Sequence, residues 1–65
     1  MKKYLVFEKQ TINNYKRDLI DFKTAHSALT GYLICLKDMG IMEEDRMQEE
    51  VQIVTKKLID ASFAK

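Results

Sequence analysis

"INNYKRDLIDFKTAHSALTGYLICLKDMG", residues 12–40, decides the fold. Within it Ile12, Tyr15, Leu19, Phe22, His26, Leu29, Leu33 and Leu36 recur at alternating intervals of three and four. That spacing brings side chains onto one seam of a helix that packs lengthwise on another. Thr11 is a residue type that caps helix starts, Lys37 suits the negative end of a helix, and Gly40 falls where a helix ends in the left-handed conformation. The pattern predicts one helix over residues 12–39, about 42 Å long at 1.5 Å per residue.

After Gly40 and Ile41, the acidic run Glu43, Glu44 and Asp45 suits the positive end of a new helix dipole. Met47, Val51, Val54, Leu58 and Ala61 then repeat the seam spacing, which predicts a second helix over residues 42–63. So short a connection folds the two back as an antiparallel hairpin. The expected fold class is therefore all-α, a single helical-hairpin domain over residues 1–65 with residues 1–10 unassigned. "KYLVF" there could extend the first helix, pair as a strand with a second copy, or fold over the bundle. A competing reading ends the first helix at Gly31 and pairs "GYLICL" with "KYLVFE" as two strands, which is marginal in so short a chain.

Apolar content around residues 32–41 exceeds what one partner helix covers. Leu29, Leu33 and Leu36 form one stripe, and Ala28, Tyr32, Cys35 and Met39 form a second beside it, with Ile34 pointing elsewhere. A helix apolar on most of its circumference is normally buried on most of it. Chains of this length bury only about 60% of their unfolded-state surface and usually need a staple. One cysteine excludes an internal disulfide, and one cysteine with one histidine falls short of a four-ligand zinc site. Two hairpins associating as a four-helix bundle is the expected remedy, with Tyr32, Ile34, Cys35 and Met39 as interface residues. Residues 1–10 folding back over the second stripe is the other.

Residues that often carry chemistry have plain readings here. His26 lies on the seam with no acid three or four residues away to orient its ring, which marks a bonded core histidine. Cys35 is near a helix C-terminus among hydrophobes, where a thiol is not activated. The acidic run lacks the glycine-containing oxygen-rich loop of calcium sites, and two glycines nine residues apart form no phosphate-cradling loop. No catalytic residue, cofactor site or metal site is expected.

Net charge is +1, so the whole chain neither requires nor repels a polyanion. Seven lysines and arginines face four acids in residues 1–38, and four face six in residues 39–65, so the halves can attract. Lys9, Lys16, Lys23 and Lys37 share one heptad position with Lys2. On a continuous helix they form a basic ridge, read first as a solvated face, then as a site for an acidic protein, then for phosphate.

The N-terminal apolar run is four residues long, too short for a secretion signal, and no stretch approaches the ~20 apolar residues of a membrane span. A reducing cytoplasm and no membrane association are expected. The function expected is that of a small non-enzymatic regulatory protein, of the kind found among accessory proteins of bacteria and phages. It would form a homodimer and bind, and inhibit or recruit, a larger protein through an apolar helical face. The alternatives are a nucleic-acid-binding accessory protein using the lysine ridge, or a structural subunit of a larger assembly.

Overall fold

A computed structural model describes residues 2–65; Met1 lies outside the described residues. Within that range the chain forms three helices and no strand: α1 (Lys2–Lys16), α2 (Phe22–Asp38) and α3 (Glu44–Ala64). The all-α expectation holds. The two-helix hairpin does not, because the continuous helix expected over residues 12–39 is broken at residues 17–21. The strand alternative also fails: residues 31–36 lie inside α2, and residues 2–8 lie inside α1.

Two aspartates make the break. Asp18 adopts a left-handed φ of 60°, which Asp tolerates better than most residues. The Leu19 amide then donates to the Asn14 carbonyl at 2.9 Å and the Asp18 amide to that of Tyr15 at 3.1 Å. This pair of bonds is the Schellman closure of a helix end. Three residues later the Asp21 carboxylate accepts the Thr24 amide at 2.7 Å and caps α2. The second turn repeats the closure with glycine, as expected: Gly40 has φ 76°, its amide donates to Lys37, and the Ile41 amide donates to Leu36, both at 3.0 Å.

Reversal at residues 17–21 wins because of what it covers. With α1 folded back, Tyr4 is 1% exposed, and Tyr15, Glu8 and Thr11 are buried with it. Burying one large apolar side chain contributes about 1.5–3 kcal/mol, against roughly 1–2 kcal/mol for one residue in the left-handed region. Burial of Tyr4 and Tyr15, with Phe7 and Ile12 partly buried against the core, outweighs one turn. The loss falls on Leu19, a seam position on a continuous helix, which stands 61% exposed in the connection.

α1 runs antiparallel to α2 and α2 antiparallel to α3, so α1 and α3 are parallel. Their register is marked by Glu8 against Lys57, Tyr15 against Ser62, and Asp18 against Lys65. Between the helices lies one core of Tyr4, Tyr15, Ala25, Leu29, Leu33, Met42, Val54, Leu58 and Ala61. The bundle measures 35 × 18 × 18 Å.

Candidate interaction surface

Each hydroxyl of α3 that meets another helix is first committed to its own backbone. Thr55 Oγ1 donates to the Val51 carbonyl at 2.9 Å, so it can only accept from His26 Nε2, 2.8 Å away. His26 therefore carries its proton on Nε2, with its ring stacked on Phe22 at 5.9 Å. One heptad later Ser62 Oγ donates to the Leu58 carbonyl at 3.0 Å and accepts the Tyr15 hydroxyl. Both arrangements fasten helices together and leave neither hydroxyl proton free.

A second polar group lies inside the bundle. Glu8 and Glu50 are buried, with Lys57 Nζ on the Glu8 carboxylate and Arg46 3.0 Å from that of Glu50. Tyr4 shares this pocket, and its buried hydroxyl has no hydrogen-bond partner among the described residues. Burial first, then the negative charge of Glu8, the nearness of its carboxylate as an acceptor for the phenol, and last the charge of Glu50, hold its pKa well above the ordinary tyrosine value. Among the described residues, no three His, Cys, Asp or Glu side chains stand together as metal ligands would.

The four residues read as an interface lie in different surroundings. Tyr32 is half-buried beneath α1, its ring centroid 5.3 Å from that of Tyr4 and 5.1 Å from that of Phe7. α1 thus covers part of the second stripe of α2. Cys35 and Met39 remain exposed, with the Cys35 thiol 3.8 Å from the Met39 sulfur. Cys35 is thus an exposed residue and not a packed core one. Ile34 points to solvent on the opposite flank and is 41% exposed.

The lysine ridge required one continuous helix and is divided by the break. Lys9 and Lys16 stand on α1, while Lys23 and Lys37 stand on α2, which runs the other way. Lys16 borders an open groove of about 300 Å³ between α1 and α3, lined also by Ile12, Lys57, Asp60, Ala61 and Ala64. Lys37 lies 3.5 Å from the adjacent Asp38.

Exposed apolar side chains extend well beyond the expected four. Leu5 and Val6 on α1 and Ile53, Ile59 and Phe63 on α3 all face solvent, Phe63 at 85%. Their signal in the sequence is an apolar residue off the seam: residues 53 and 59 fall between the seam positions 51, 54, 58 and 61, and residue 63 falls beyond the last of them. No helix among the described residues is long and apolar enough to cross a membrane. No family model matches this chain, and no curated protein or solved structure matches it either.

Proposed function

We propose that this chain is a small regulatory protein without catalytic activity, which self-associates and binds a larger protein through apolar helical surface. One observation carries the reading: among the described residues nine large apolar side chains are exposed, as many residues as make up the buried hydrophobic core. Exposed apolar surface marks a docking site where it is contiguous, and Ile59 and Phe63, four residues apart on α3 and both exposed, share one stretch of its outer face. The polar groups that do converge support it further, because His26, Thr55, Tyr15 and Ser62 are all used to join helices. An exposed thiol at Cys35 fits a reducing compartment such as the cytoplasm.

Affinity capture from the native host, in parallel with a Phe63→Glu/Ile59→Glu variant, tests the proposal. The expected result is a stoichiometric protein partner retained by the wild-type chain, lost by the folded variant, and held about equally at 50 and 200 mM salt. Retention of nucleic acid that falls steeply over that salt range would overturn it.

A further inference from the structure

The solvent face of α2 differs from those of its neighbours. α1 presents Lys2, Lys3, Lys9 and Lys16, and α3 presents Glu49, Lys56 and Asp60, whereas no Asp, Glu, Lys or Arg occurs in α2 between Thr24 and Leu36. Lys23, Ser27, Gly31, Ile34 and Asp38 follow one another at intervals of four, four, three and four, and all five are exposed. They therefore form one line along the outward face. The line is uncharged except at its two ends, where the signs are opposite.

Both end charges are misplaced for their own helix. Lys23 stands in the first turn, at the positive end of the dipole, and Asp38 in the last turn, at the negative end. Each opposes the macrodipole it sits on. Gly31 is a third local cost, since glycine weakens a helix interior. A Cβ at Gly31 would meet nothing within 4 Å in its own chain, so the fold of a single chain gives no reason for the missing side chain.

We propose that this line is a self-complementary surface on which a second copy of the chain docks, α2 against α2 and antiparallel, across a two-fold axis beside Gly31. The inference deepens the self-association in the function proposed above and rests on it. Charge selects the antiparallel arrangement. Laid head to tail, Lys23 of each copy meets Asp38 of the other, whereas a parallel pair opposes Lys to Lys and Asp to Asp. The same register sets Ile34 of each copy over the small Ser27 of the other. It also brings the two Gly31 residues together, where the absent side chains let the helices approach closely. Because residue meets residue reciprocally, the contact closes as a dimer and does not propagate. The Leu5, Val6, Ile53, Ile59 and Phe63 surfaces of α1 and α3 stay free for a larger partner.

A contact along one helix of about 25 Å is small beside permanent interfaces, so the dimer is expected to depend on concentration. Sedimentation velocity of the full chain between about 10 μM and 1 mM should show the mass rising from 7.6 kDa toward twice that value. Lys23→Glu and Asp38→Lys should each weaken the dimer by on the order of tenfold, and the double swap should restore it. Each replacement also suits the helix dipole better, so the melting temperature of the single chain should rise while the dimer weakens. Gly31→Leu should likewise raise the melting temperature and abolish the dimer. A dimer indifferent to Gly31→Leu, or one weakened by the single reversals and not restored by the swap, would overturn the α2 assignment and leave self-association standing. A monomer at every concentration would overturn both.

Discussion

Tyr4 meets Tyr32 edge-to-face, with ring centroids 5.3 Å apart and planes at 62°. Twenty-eight residues separate them in sequence, and the contact ties the start of the chain to the middle of α2. An edge-to-face pair contributes about 0.5–1.5 kcal/mol beyond the area it buries. Through it α1 becomes part of the core.

The Tyr4 hydroxyl should be dispensable at neutral pH and a liability in alkali. Having no hydrogen-bond partner among the described residues, it can be removed in Tyr4→Phe at little cost or with a gain. Tyr4→Ala should instead cost about 3–5 kcal/mol. The folded-state pKa lies above the unfolded value near 10, so the neutral phenol is retained by folding. Its contribution is fully present below about pH 10 and is lost as pH rises above that, by up to about 1.4 kcal/mol per pH unit. Urea unfolding of wild type and Tyr4→Phe at about pH 7 and 11 measures this; equal losses in the two proteins would refute it.

The two helix ends differ in how well their residue suits its backbone. Gly40→Val should destabilise by more than about 1 kcal/mol, because a β-branched side chain is strained at positive φ. Asp18→Gly relieves the same strain at the other turn but releases Lys65. With an exposed ion pair worth about 0–1 kcal/mol, the net change should be neutral or stabilising by up to about 1 kcal/mol. Thermal melts of the two variants should move in opposite directions, or only the glycine variant should move.

Asp21 opens α2, and its bonds to Thr24 hold its carboxyl below the usual aspartate range. A lowered folded-state value stabilises the fold above the unfolded pKa near 3.9 and ceases to do so as pH falls below it. Asp21→Ala should therefore melt lower than wild type at pH 7, with the gap closing in acid. A gap that stays constant from pH 7 to 3 would place the effect elsewhere.

Thr55→Val removes the acceptor of His26 and leaves a part-buried N–H unpaired, a loss of about 1–3 kcal/mol. Long-range proton–nitrogen correlation spectra of the neutral wild-type ring should show the Nε2–H tautomer. An Nδ1–H ring would mean that the Thr55 hydroxyl points away from Val51.

Glu8 and Lys57 are unequal partners, since the carboxylate is buried and the lysine half exposed. Lys57→Met leaves a buried charge uncompensated and should cost more than Glu8→Leu/Lys57→Met, in which both are replaced by apolar groups. Urea midpoints decide it; a double variant weaker than the single would mean that the pair itself is strongly stabilising.

Much of this architecture was legible because periodicity reports burial. The seam residues Leu29, Leu33, Val54, Leu58 and Ala61 make up more than half of the core, and Gly40 marked its turn through the one conformation that glycine adopts cheaply. The other turn was hidden because Leu19 kept the heptad in phase across it, so that a chain reversal and a continuous helix share one apolar pattern. Only Asp18 and Asp21 distinguish them, through a left-handed φ and a cap that a periodicity count ignores. Misplacing that turn joined Lys16 to Lys23 in one ridge and left the cover of Tyr32 open between a second copy and residues 1–10. The apolar residues off the seam were visible, but which of them meet water depended on where α1 lies.

Parallel alignment of α1 with α3 has a consequence in time. Short turns join α1 to α2 and α2 to α3 alike, but six of the nine buried core residues lie on α2 and α3 and only two on α1, and the α1–α3 pairs Tyr15–Ser62 and Glu8–Lys57 span 47 and 49 residues. Closing long loops precedes the reward of the contacts they allow, so the hairpin of α2 and α3 should form first and the segment made earliest should dock last. Read backwards, α1 is the piece released at least cost in sub-global opening. Its amides should exchange with solvent ahead of those around Leu29 and Leu58, and each such opening bares the Tyr32 ring to water.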